Sequence, residues 1–139
     1  MPIKVKSQIS VEYMVIIGFV TIITIPLVII YQSLIQESSE DISSYQIMQI
    51  AKNIVHESET VYYLGEPSQS TIKINMPGNI VLANLSYGYE LVFKIKTKTG
   101  ESDIVQNSAV NITGSLPTSQ GLYTLTVKAK EDHVEVSYK

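Results

Sequence analysis

Hydrophobic residues change their spacing twice along this chain, and each change marks a different structural element. From Tyr13 to Tyr31 there are 19 consecutive positions without a charge, dominated by Ile, Val, Leu, Met and Phe. A helix of about 20 such residues crosses a hydrocarbon core. Beyond it, Leu34, Ile35, Ile42, Tyr45, Met48, Ile50, Ile54, Val55, Val61 and Tyr62 recur mostly at spacings of three, four or seven, the period of an amphipathic helix. Together these stretches predict one long helix over residues 8–64. Pro26 lacks an amide hydrogen and predicts a kink or local unwinding from Ile22 to Pro26, with Thr21 and Thr24 available to satisfy the freed carbonyls. Gly65-Glu66-Pro67 predicts the stop, since a glycine after the last apolar position and a following proline both end helices.

From residue 71 the period falls to two, which signals strands with one buried face. Ile72, Ile74 and Met76 alternate with Lys73 and Asn75, and Leu91, Phe93 and Ile95 alternate with Val92 and Lys94. Tyr123, Leu125, Val127 and Ala129 repeat the pattern, and Val134, Val136 and Tyr138 close the chain. Pro77-Gly78-Asn79, Thr99-Gly100, Gly114 to Gly121 and Glu131-Asp132 predict the turns. The expected fold class is α+β: a long, partly transmembrane N-terminal helix followed by about six strands in a small antiparallel sheet or sandwich. A domain this short buries little surface by itself, so one sheet face is expected to pack on the apolar stripe of residues 42–62. The expected organisation is a head at residues 1–7, a helix at 8–64 with 13–31 in the membrane, a linker at 65–70 and a β domain at 71–139.

Charge adds direction. Lys4 and Lys6 precede the apolar run, and Glu37, Glu40 and Asp41 follow it, so the positive-inside tendency places the head in the cytoplasm and the β domain outside. The formal charge of −3, with no Arg and lysines scattered among acids, offers no basic patch for nucleic acid. Without cysteine there is no disulfide or thiolate-metal site. His56 and His133 have no companion at metal-ligand spacing, and the acidic group after the membrane run lacks the glycine and spacing of a calcium loop. No phosphate loop, nucleophile elbow or Ser/His/Asp set can be assembled, so neither an enzyme nor a cofactor is expected. Asn84-Leu85-Ser86 and Asn111-Ile112-Thr113 are N-glycosylation sequons on the expected outer side.

The junction before the apolar run is more specific. A secretory signal has an apolar core of only about 7 to 15 residues and ends at a small-x-small site, whereas this run is longer and continues into Tyr31-Gln32-Ser33-Leu34-Ile35-Gln36. Ahead of it stands Lys6-Ser7-Gln8-Ile9-Ser10-Val11-Glu12-Tyr13. This stretch resembles the class III signal peptide of archaeal type IV pilin-like proteins, in which a basic and a small residue precede a Gln-x-Ser-x-Glu core and then a hydrophobic helix. Ser7 stands where glycine or alanine is more usual. The resemblance implies that a prepilin peptidase recognises Lys6, Gln8, Ser10 and Glu12 and cuts between Ser7 and Gln8. It further implies a type IV pilin-like architecture, transfer by a pilus assembly machinery from the membrane into a homo-oligomeric helical filament, and adhesion or cell contact as the output.

Within that resemblance Glu12 acquires a role. Cutting before Gln8 makes Glu12 the fifth residue of the new chain, the place of the acidic residue in type IV pilins generally. A carboxylate near the bilayer edge can reach the headgroups, but packed among helices it needs a cation. The amine freed at Gln8 of a neighbouring subunit is the expected partner, and the pair would set axial register as buried polar groups do in coiled coils. Gly18, with Thr21 and Thr24, suits close helix contact. The competing reading is a monomeric single-pass anchor that keeps its head and presents the β domain as a receptor, binding module or complex accessory.

Overall fold

The computed structural model describes residues 4–85, 88–98 and 100–139; for residues 4–9, 36, 37 and 40 it describes the backbone alone. One helix, α1 (Lys4–Leu64), leads into seven strands: β1 (Gln69–Met76), β2 (Ile80–Asn84), β3 (Glu90–Thr97), β4 (Gly100–Asn107), β5 (Ile112–Gly114), β6 (Gly121–Ala129) and β7 (Val134–Tyr138). The class is α+β, as the change of hydrophobic period implies. The described helix already includes Lys4, ahead of the expected Gln8, and no glycine or proline lies between Lys4 and Gln8 to interrupt it. It also runs through Pro26 as continuous helix, so the expected unwinding is absent. The threonines do not serve the carbonyl of Ile22 that Pro26 frees. Thr21 Oγ1 donates to the Ile17 carbonyl at 2.8 Å and Thr24 Oγ1 to the Val20 carbonyl at 2.7 Å, each one turn back along its own helix face.

The chain divides into two compact units, Met1–Ser39 and Glu40–Lys139. The boundary between these units therefore falls inside the helix. Its cause is the apolar stripe: Ile47, Ile50, Ala51, Ile54, Val55 and Val61 are all buried, at helical spacings of three and four. Ser58, fully buried on the same stripe, keeps its hydroxyl satisfied by donating to the Ile54 carbonyl at 2.7 Å. Ile42, Tyr45 and Met48, read from the sequence as part of the stripe, are exposed; counting 3.6 residues per turn from Ile47 carries them to the side or back of the helix. Leu64 ends α1. Gly65 takes a left-handed φ of 77°, its amide donates to the Tyr62 carbonyl at 3.0 Å, and β1 begins at Gln69, two residues ahead of the expected position.

The strands form a four-stranded sheet in the order β1-β6-β7-β5 and a three-stranded sheet in the order β2-β3-β4. Leu91, Phe93 and Ile95 of β3, Leu125, Val127 and Ala129 of β6, and Val134 and Val136 of β7 join the buried helix residues in one apolar core. Tyr138, read as core-facing, is exposed at the chain end. Two strands lack the expected alternation. β4, GESDIVQN, is almost wholly exposed and is held by its eight-residue antiparallel register with β3. β2 breaks register between Ile80 and Leu82.

One pairing departs from the antiparallel expectation: β5 runs parallel to β7, with Ile112 against Val134 and Gly114 against Val136. Gly114 has φ 124°, and a β-carbon there would collide with the Val136 carbonyl oxygen, so only glycine permits this approach. The connection leading into β5 is tied to the helix by Glu59, whose Oε1 accepts from the Ala109 amide at 3.0 Å.

Two substitutions test this packing in chemical denaturation of the full chain. Ile54→Ala is expected to destabilise the β unit by about 2–5 kcal/mol, because it empties a fully buried site. Gly114→Ala is expected to disrupt the β5–β7 pair, whereas Gly18→Ala, with open space at its site, leaves that unit's midpoint unchanged.

Candidate functional site

The junction singled out by the sequence lies on the first unit. Ser10–Ile35 forms 26 residues of helix long and apolar enough to cross a membrane, and none of it is buried within the chain. Among these residues Glu12 is the single charge. Val11, Tyr13, Met14, Ile16, Phe19, Val20 and Ile22 are each more than half exposed, so the apolar surface surrounds the helix and is not one stripe. Such a segment fits membrane anchoring by length and composition, and a signal sequence near an N-terminus has the same character.

Ser10 and Glu12 are exposed. Lys6, Ser7 and Gln8 lie on the helix, while their side chains fall outside the described residues. Helical spacing brings positions 8 and 12 one above the other, one turn apart, and puts position 10 on the opposite side. The Gln-x-Ser-x-Glu core is therefore not displayed on one helix face. Position 8 and Glu12 do share a face. Gly18 has nothing in its own chain within 4 Å of where a β-carbon would stand. No intrachain contact accounts for a glycine there.

The other candidate residues are in the second unit. Asn84 is half-buried, and Ser86 of its sequon lies outside the described residues. Asn111 is half-buried as well; its carbonyl accepts from the Val134 amide at 2.8 Å, and its side-chain oxygen lies where a β-carbon on Gly88 would come within 2.7 Å. His133 Nδ1 is 3.1 Å from Asp132 Oδ1 at the turn before β7, and His56 is exposed on α1. Among the described residues no three His, Asp or Glu side chains gather as a metal would need.

Sequence reasoning missed a groove in the second unit. It is about 430 Å³, with Ile42, Tyr45, Gln46, Gln49, Ile50 and Asn53 of α1 along one wall and Lys73, Ile74 and Asn75 of β1 along the other. The signal for it was present as Ile42 and Tyr45, apolar residues off the buried stripe. Comparison of the chain with protein-family models, with curated proteins and with solved structures returns no match.

Because a β-carbon at Gly18 would meet no other part of the chain within 4 Å, Gly18→Leu is expected to leave the fold of the isolated chain intact and to raise helix stability by up to about 1 kcal/mol. Thermal melting followed by circular dichroism checks this. A large drop would show that glycine is needed within the single chain.

Proposed function

We propose that this chain is the structural subunit of an archaeal type IV pilus-like surface filament, made as a membrane-held precursor and cut before Gln8 by a prepilin peptidase. The observation that carries the reading is Glu12: one carboxylate, one helical turn beyond position 8, at the start of an apolar helix that its own chain leaves uncovered. In the precursor Gln8 is held in a peptide bond with Ser7 and has no free amine. Cleavage creates the amine at Gln8, and the pilus assembly machinery moves the helix from lipid into a bundle of identical helices. There the Glu12 carboxylate of one subunit pairs with the Gln8 amine of the next.

The physical case rests on what each environment demands. In lipid, the helix satisfies its own backbone, apolar side chains face apolar tails, and a carboxylate near the edge reaches the headgroups. In a filament the tails are replaced by neighbouring side chains, with Gly18 allowing close approach. A carboxylate in that setting must be paired, and removing one partner of a buried pair costs several kcal/mol. The pairing works at one axial offset only, so it sets register as well as offsetting charge burial. The β unit, carrying the Thr and Ser residues of its outward strand faces, would coat the filament and make the contacts of adhesion. Loss of the head removes Lys4 and Lys6 and leaves eight lysines against 13 acids, a net negative coat that favours dispersed filaments.

Intact mass of the chain purified from cells tests the processing step: a species beginning at Gln8 is expected, and one that retains the head would support a simple anchor. Glu12→Gln and Glu12→Ala test assembly. Each is expected to lower filament yield by about tenfold or more while the chain still accumulates in the membrane. Filaments at normal yield with both substitutions would remove the register role. The same mass measurement reads Asn84 and Asn111 for glycans.

A further inference from the structure

Each sheet ends in two outer strands, β1 and β5 in one, β2 and β4 in the other. An outer strand presents unpaired amide and carbonyl groups, and it templates a further strand unless that strand is repelled or blocked. β1 and β4 are both eight residues long and carry opposite charge. Lys73 is the one charged residue of β1; it is exposed and makes no ion pair among the described residues. β4 carries Glu101 and Asp103, which lie 3.6 and 3.8 Å from Lys94, and Lys96 stands opposite Glu101 in the β3–β4 register. The charged residues of β4 itself are thus acidic and that of β1 is basic.

We propose that β1 of one copy of this chain pairs antiparallel with β4 of a second copy. Full overlap of the two strands sets Lys73 opposite Asp103, Ile72 opposite Ile104 and Thr71 opposite Val105. The faces agree in this register. Ile72 and Ile104 are on the core side of their own sheets, opposite Leu125 and Phe93 respectively, whereas Lys73 and Asp103 are on the outer side, opposite Thr124 and Lys94. One alignment therefore matches backbone length, burial and charge together.

Self-pairing of either strand fails the same test. Face-matched antiparallel pairing of β1 with β1 brings two Lys73 side chains opposite or diagonally adjacent, and β4 with β4 does the same for Asp103, which is destabilising. The contact is heterologous, so it propagates from copy to copy and does not close as a pair. Beside β1, the apolar groove floored by Ile50 and Ile74 gives the inward side chains of the added strand a place to go. Pairing needs neither a cut head nor Glu12, so it stands or falls separately from the processing reading.

The chain has no cysteine, so introduced thiols report one contact each. Full-length chains bearing Thr71→Cys and full-length chains bearing Val105→Cys are mixed in phosphatidylcholine vesicles and mildly oxidised. The mixed disulfide is expected to exceed either self-disulfide by about threefold, to fall about threefold when Lys73→Glu is added to the first chain, and to recover when Asp103→Lys is added to the second. No mixed product, equal mixed and self products, or indifference to the charge changes would each overturn the pairing. Uncut precursor is used throughout, so a failure of cleavage in cells leaves the result intact.

Discussion

An apolar helix that its own chain does not cover is the constraint on which everything else in this protein depends. Burying one large aliphatic side chain is worth about 1.5–3 kcal/mol, and Ser10–Ile35 exposes more than a dozen of them. Left in water, that surface would outweigh the whole stability of a typical domain, about 5–15 kcal/mol. By length and composition the segment is suited to lipid or to other apolar surfaces. A single carboxylate, Glu12, is the group whose needs differ most between those two settings. Lipid lets it reach the interface, and a helix bundle requires a partner.

The same helix does two kinds of work, and the change comes near residue 40. Before it, apolar side chains point in all directions and none is buried within the chain. After it, they keep to a stripe from Ile47 to Val61, with Ser58 made tolerable by its hydrogen bond to the preceding turn. The stripe completes the core of a β unit too small to be comfortable with its sheets alone. That unit leaves its charges on the surface, where ion pairs such as Lys94 with Glu101 and Lys130 with Glu135 add little stability.

Much of this was legible from residue spacing, and the failures have physical reasons. The apolar run, the helix stop at Gly65 and the strands around Phe93 and Leu125 follow from period alone. β4 did not, because an outer strand needs only backbone pairing on one side and so carries no apolar alternation. β5 did not, because three residues beside a glycine hold no period, and its parallel direction depends on the close approach at Gly114. At Pro26 the helix does not unwind: the loss of one amide in an otherwise continuous helix costs one hydrogen bond and need not break the turns on either side. Of the candidate site, Glu12 and Gly18 were visible because each is chemically out of place in an apolar run. The groove and the complementary edges were not, since they arise from residues brought together only by the fold.

We propose that the amine created before Gln8 and the Glu12 carboxylate meet between neighbouring copies. Electron cryo-microscopy of surface filaments containing this chain reads that contact directly. The account predicts subunits that begin at Gln8, a core built from the Ser10–Ile35 helices, and each Glu12 carboxylate within ion-pair distance of a neighbour's Gln8 amine. Filaments in which Glu12 faces solvent or lies far from any amine would contradict it.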